Sequence, residues 1–388
     1  MNRRKLGMLA ILAGVFAMLA AACGSDPTAT PSPTPTQASQ ATPTPDPVAA
    51  EWAALKAAAA QEGELIAFFC CAFGDRIQPF IDEAEDALGI KITSSTGSSN
   101  QQWQKVQAER AANVYTLDVW TGGLNTTNRQ LVPGGALTDL KSLLFHPEVT
   151  DESLWFEGQF WADVDLNKVF AYGGSASGAE ISYNTNLVDP SEITSYWDLL
   201  DEKWKGKIVA RDPRIAGTSQ STALFYLLMG PEFLEQILKE IVIVEDARQA
   251  AEQLAQGTYA LCLFACTQEV QAAREDGLPV QEEWPGAVEE GARVSTGGNT
   301  LVAMDHPKNP NAQKLFVNWF LSGDGQTWWQ RITEEQSLRN DIPTDMVKSN
   351  SVRDPNKDYL LFERDPNFQQ KLDESLEFAR QVLASTGQ

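Results

Sequence analysis

The chain has 388 residues, 43% of them hydrophobic, with 30 basic against 52 acidic side chains and a formal net charge of −22. That is more chain than one compact core usually serves, so two lobes are expected. The acidity argues against a nucleic-acid partner, whose phosphates need clustered Lys and Arg. With His146 and His306 as the only histidines, each followed by Pro, a histidine-built zinc centre or a Ser-His-Asp triad has little to work with.

Residues 1–22 read as an export signal. Arg3, Arg4 and Lys5 form a basic start, Leu6 to Ala22 is apolar, and Ala20-Ala21-Ala22 precedes Cys23-Gly24. The pattern resembles a bacterial lipobox, with Leu19 one position further from the cysteine than usual. Cleavage before Cys23 and lipid attachment to it are expected, which gives an extracytoplasmic protein held to the membrane by lipid alone. The apolar run is short of the ~20 residues that a membrane span needs. Residues 23–50 carry a Pro/Thr/Ser/Ala tract that cannot bury apolar surface and is expected to be an extended tether.

The first lobe is expected over 51–165 and again over 295–345. Glu51 to Gln61 is an Ala-rich helix ended by Gly63, and Glu64 to Phe69 is a buried strand. A helix over Asp75 to Leu88, a strand at Ile90 to Ile92, a helix over Gln101 to Ala112 and a strand at Leu117 to Trp120 follow. Ligands of open α/β sheets bind beyond the carboxyl ends of the strands. Those ends here carry Cys70 and Cys71, Ser98 and Ser99, and Thr121 and Gly122, which become candidate ligand contacts. The two serines are also ordinary helix caps. Trp120 and Tyr172 read as core packing, with an apolar wall of the cleft as the alternative.

The second lobe is expected over 166–294. Tyr196 to Trp204 is a short helical turn broken by Gly206, Lys207 to Ala210 a β-branched strand, and Asp212-Pro213 a turn. Gly217-Thr218-Ser219-Gln220 opens the next helix, which runs apolar to Met229 and stops at Gly230-Pro231. A helix start offers free N–H groups and partial positive charge, and Arg211 and Arg214 flank this one. Arg211, Arg214, Thr218, Ser219 and Gln220 are therefore candidates for an anionic group, with surface ion pairing and helix capping as the plainer alternatives. Gly257 to Phe264 reads as a strand followed by Cys266 and Thr267, two further candidates. A late strand ends at Met304, one helix covers Pro310 to Gln326, and residues 346–388 end in a helix over Phe368 to Ala384 whose lobe is open.

Trp-Asp-Leu-Leu-Asp-Glu-Lys-Trp-Lys-Gly-Lys-Ile-Val at Trp197 to Val209, soon after Ile181-Ser182-Tyr183-Asn184, resembles the second-lobe signature of extracellular solute-binding proteins of ABC importers. The resemblance narrows to the group that includes ferric-iron binders. Leu131 to Leu140, Pro310 to Gln326 and Arg339 to Pro343 continue it, so it covers most of Glu51 to Pro343. It implies a hinge-linked α/β fold of the type 2 periplasmic-binding-protein kind, each lobe a central sheet flanked by helices. It also implies a monomeric, non-enzymatic receptor without cofactor that captures a small molecule or ion between its lobes and delivers it to a membrane permease. It puts Arg339 near the cleft. A surface lipoprotein that senses or buffers a soft metal through the cleft cysteines is the alternative.

In the resemblance, ferric-iron binders use a residue after the first strand and two adjacent tyrosines after a second-lobe strand. The matching positions here are near Cys70 to Ala72 and at Cys266-Thr267. The tyrosine pair is missing, and thiols do not replace phenolates for a hard cation, so ferric iron is not the expected ligand. Three readings of Cys70, Cys71, Cys262 and Cys266 stand open: disulfides, a thiolate site for a soft metal, and buried apolar thiols. On an extended strand Cys262 and Cys266 would be ~13 Å apart, too far to bridge, whereas a helical turn brings them close. No Gly-x-Ser-x-Gly, His-Glu-x-x-His or Gly-x-x-x-x-Gly-Lys-Ser/Thr motif occurs.

Overall fold

A computed structural model describes residues 46–386, except 71–73, 164–165, 178–180, 215–217, 265–266, 283, 285–287, 349–350, 357–358 and 366. The export signal, Cys23 and the tether up to residue 45 fall outside the described residues, as do Cys71 and Cys266, whereas residues 47–50, expected in the tether, already belong to the first helix. No helix among the described residues is long and apolar enough to cross a membrane.

The folded part opens with α1 (Pro47–Glu62), capped by Asp46 and closed by Gly63 in the left-handed conformation. It runs through β1 (Glu64–Cys70), α2 (Gln78–Leu88), β2 (Lys91–Gly97), α3 (Ser99–Ala111) and β3 (Val119–Gly122). β1 is apolar from Leu65 to Cys70, and all four residues of β3 are buried. Short helices α4 (Leu124–Thr126) and α5 (Pro147–Thr150) lead to β4 (Phe160–Trp161) and β5 (Phe170–Ala171).

These strands join one six-stranded sheet in the order β2-β1-β3-β13-β5-β4, with β13 (Thr300–Ala303) returning late in the chain, antiparallel to β3. Phe170 and Ala171 pair inside this sheet, so the first lobe runs past the boundary expected at 165. Its core gathers Phe68, Phe69, Phe80, Trp120, Phe316, Phe320 and Trp329.

The chain leaves along β6 (Ser175–Ser177) and builds a second, five-stranded sheet, β11-β7-β10-β8-β9. Its strands are β7 (Ile181–Asn184), β8 (Ile208–Arg211), β9 (Val242–Val244), β10 (Leu261–Leu263) and β11 (Val280–Gln281). Between them lie α6 (Ser219–Leu224), α7 (Pro231–Glu240), α8 (Ala247–Ala255) and α9 (Thr267–Glu275). The Tyr196–Trp204 stretch forms two 3-10 turns, the first held by a capping box between Ser195 and Asp198. Tyr196, Leu199 and Trp204 are buried in the second core, while Trp197 stays largely exposed with its ring edge on Phe233.

The return strand β12 (Ala292–Ser295) pairs with β6 and with β14 (Tyr359–Leu360), so a three-stranded sheet joins the two cores. The single late helix expected from sequence is two, α10 (Pro310–Phe320) and α11 (Gly323–Thr333), because Ser322 caps a new start. The last helix, α12 (Phe368–Thr386), places Ala379, Val382 and Leu383 in the second core.

Candidate functional site

In the first sheet the register brings the carboxyl ends of three strands together. Cys70 pairs with Gly97, and Phe69 pairs with both Thr96 and Thr121. Cys70, Thr121 and Gly122 are buried there, Ser99 is half-buried and Ser98 exposed. β3 is therefore longer at this end than the sequence suggests, with Thr121 and Gly122 inside the strand rather than in a loop.

Several polar atoms at this end have no partner. Ser99 Oγ, Trp120 Nε1 and Thr121 Oγ1 are buried and make no hydrogen bond. Trp120 and Gly122 share one face of β3 by strand alternation. The indole reaches along that face towards the strand end: a Cβ at Gly122 would stand 2.2 Å from Trp120 Nε1 and 3.2 Å from Ser99 Oγ. Ser98 is the N-cap of α3 and its side chain makes no capping bond, so the first-turn N–H groups have no side-chain acceptor. Sequence reading treats Trp120 as packing. Its ring does pack on Phe68 at 4.5 Å, and the unpartnered N–H is what that reading misses. The available signal is a Trp one residue from Thr-Gly-Gly at a strand end.

In the second sheet the two arginines separate. Arg214 forks onto Asp212, with Nε 2.9 and 3.1 Å from the two carboxylate oxygens and Nη2 2.8 Å from one. Burial pushes the Asp212 carboxyl up, but the Arg214 hydrogen bonds outweigh it and hold the group below its ordinary range. This is the plainer alternative, an internal ion pair that stiffens the turn. Arg211 ends β8, half-buried, with a buried Nε that has no acceptor. Thr218 is fully buried and donates to the Asp212 carbonyl at 3.1 Å, a turn-closing bond. The helix start expected at Gly217 to Gln220 is weak as an anion site: α6 has six residues before the chain passes into a π-helical turn over Phe225–Met229. Ser219 and Gln220 lie in its first turn, their side chains outside the described residues, as is Gly217. Thr267 opens α9, exposed.

The cysteines divide. Cys70 closes β1 inside the first core. Cys262, in the middle of β10, is buried between that strand and α8 and α9, and it is disulfide-bonded. Its partner is outside the described residues. A thiol held in a bridge is no thiolate ligand, and no cluster of three His, Cys, Asp or Glu groups fit for a metal occurs among the described residues. Arg339 is not a cleft residue: fully enclosed, it donates to Asp341 at 2.8 and 2.6 Å and to the Leu321 carbonyl at 2.9 Å.

Beside the joining strands lies a cavity of about 240 Å³ lined by Ser175, Arg293, Ser295, Gly297, Thr333, Glu335 and Lys348 among others. Gly297 also borders the first-lobe strand ends, its carbonyl oxygen 3.8 Å from where a Gly123 Cβ would be.

Residues 79–351 match the family model described as bacterial extracellular solute-binding protein. An uncharacterized protein of Haemophilus influenzae is 24% identical over 318 residues, 79% of this chain and 86% of that one. Among solved structures, the Trichodesmium protein IdiA (FutA), in complex with iron and citrate, superposes with a TM-score of 0.60 at 17% identity, over 82% of this chain and 99% of its own. A Bordetella ferric binding protein gives 0.60 at 18%, over 82% and 98%. AfuA from Actinobacillus pleuropneumoniae, with fructose-6-phosphate bound, gives 0.52 at 18%, over 83% and 98%. The structural likenesses establish the two-lobed type 2 periplasmic-binding-protein fold. The chain belongs to the bacterial extracellular solute-binding proteins, the extracytoplasmic, substrate-binding components of transport.

Proposed function

We propose that this protein is the lipid-anchored receptor of an ABC importer, which closes its lobes on a small solute and hands it to a membrane permease without chemical change. One observation carries the reading most directly. Polar donors with no partner stand at the carboxyl ends of strands in both sheets: Trp120 Nε1 and Ser99 Oγ in the first, Arg211 Nε in the second. Groups buried without partners destabilise a fold unless something else satisfies them, and strand ends are where this fold class binds. The export signal and the Cys23-Gly24 junction support the anchor. Cys262, held in a disulfide, weighs against the soft-metal alternative.

A thermal-shift screen of organophosphates, sulfonates, polyamines, thiamine-like cations and metals tests the reading. At least one solute should raise Tm in wild type, and Arg211→Gln should weaken that solute about tenfold or more. A screen without any shift, repeated on protein stripped of bound solute by unfolding and refolding, would contradict it.

A further inference from the structure

We infer that α12 is a strap between the lobes and that Arg129 is its latch, holding the lobe arrangement of this structure through Gln369 and Asp373. The inference goes beyond the receptor reading and is independent of which solute is bound. α12 is held differently at its two ends. Its second half is fixed by apolar contact: Ala379, Val382 and Leu383 belong to the second core, and Phe378 packs on Tyr226 with ring centroids 5.5 Å apart. Just before the helix, Arg364 donates to three carbonyls of a first-lobe turn, those of Phe156 at 2.9 Å, Glu157 at 2.8 Å and Gly158 at 2.8 Å. Its guanidinium also lies over the ring of Phe160, a first-core residue. The helix is therefore rooted on the first lobe and ends in the core of the second, so a change of lobe angle tilts it about its root.

Polar side chains oppose that tilt. The π-helical turn Thr127–Leu131 after β3 is tied into the first lobe by Leu131 in the core, by Asn128 donating to the Ala162 carbonyl and by Gln130 donating to Asn100 Oδ1. Arg129 instead reaches α12: its Nε donates to Gln369 Oε1 at 2.7 Å and its Nη2 lies 3.5 Å from Asp373 Oδ1. Gln369 and Asp373 are four residues apart, so they share one side of the helix. Neighbouring charges are taken up locally, Lys371 by Asp365 and Glu374 by Gln370. Asp373 stands about 8 Å along the helix from its first residue, so a tilt parts it from Arg129. An apolar end gives up its contacts to water only at large loss, whereas exposed hydrogen bonds and ion pairs exchange with water at little net change. The Arg129 side chain is 45% exposed and that of Asp373 68%, which makes this the end that lets go. A contact made in one lobe arrangement shifts the balance between arrangements, and so sets the apparent affinity of any solute that needs the lobes closed.

Single-molecule fluorescence energy transfer reads the lobe arrangement without any solute, with dyes on unnatural amino acids at Asp86 in α2 and Gln236 in α7, two exposed positions in different lobes. Wild type should populate the distance of this structure. Arg129→Glu, which sets two carboxylates against each other, should lower the ratio of that population to the rest about twofold or more. Adding Asp373→Arg to Arg129→Glu should recover most of the ratio, since the amide of Gln369 can serve either charge. A distribution unchanged in Arg129→Glu overturns the latch, and so does a double variant no better than the single one. Circular dichroism checks that each variant folds. Should Arg129→Glu fail to fold, Asp373→Asn decides: a lowered ratio is expected, and an unchanged distribution overturns the latch. Neither result bears on solute capture, which the thermal-shift screen tests on its own.

Discussion

Arg211, Arg214 and Arg339 are three guanidinium groups with different surroundings and hence different roles. Arg214 is committed to Asp212 and Arg339 to Asp341, whereas Arg211 keeps a buried Nε with no acceptor. Sequence reading makes Arg211 and Arg214 candidates because it sees charge near a helix start, and the resemblance alone puts Arg339 near the cleft; neither shows which carboxylate each guanidinium meets. The Arg339 hydrogen bonds hold the Asp341 carboxyl below its ordinary range. Its pKa is lower folded than unfolded, so this pair contributes stability above the ordinary carboxylate value of ~3.9, and the contribution is lost as pH falls through the folded value. Asp341→Asn should therefore flatten the acid limb of a Tm-against-pH curve and lower Tm at pH 7; an unchanged acid limb would show that the pair adds nothing. Arg339→Met should cost about 3–5 kcal/mol in urea unfolding, because it strands partners around an enclosed site. It should leave solute affinity in the surviving folded fraction unchanged.

Among the elements, the joining sheet β6-β12-β14 holds a carboxyl of opposite behaviour. Glu363, almost wholly buried in the 3-10 turn Phe362–Arg364, is pushed up by burial, with Arg293 opposing. A raised folded pKa means the pair of states favours folding at low pH, and the benefit is lost as pH rises through that value. Glu363→Gln should accordingly raise Tm at pH 8 more than at pH 5, and an equal effect at both would contradict the assignment. β10 gives a second element-scale test. Sequence reading extends that strand over Gly257 to Phe264, but Gly257 and Phe264 both take positive φ, leaving Leu261–Leu263 extended. Cys262 in the middle of β10 is disulfide-bonded. Reductant should lower Tm by several degrees, as loss of a native disulfide typically costs about 2–5 kcal/mol, and an unchanged Tm would show that the bridge carries no stability.

At the scale of the whole molecule, the order from α1 to β3 in the first sheet and the strand β8 in the second are legible from hydrophobic runs punctuated by Gly63, Gly89, Gly206 and Gly230, all four at positive φ, whereas the short strands β4, β9 and β11 are not. Less legible are features set by long-range packing: β5 joining the first sheet, the break at Ser322, and α12 docking its second half in the second core. The site divides in the same way. Strand ends are readable from alternation, but an indole N–H left without an acceptor exists only once β3, α3 and Gly122 are assembled.

The first half of α12 also meets the other lobe's side chains. Arg129, on the turn after β3, donates to Gln369 at 2.7 Å and lies 3.5 Å from Asp373. The most direct measurement of the central claim, that strand-end donors of both lobes hold a small solute, is native mass spectrometry of protein purified gently from its producing cells. The account predicts one small solute, bound one to one in wild type and lost from both Arg211→Gln and Trp120→Phe. A solute retained equally in both variants would contradict it.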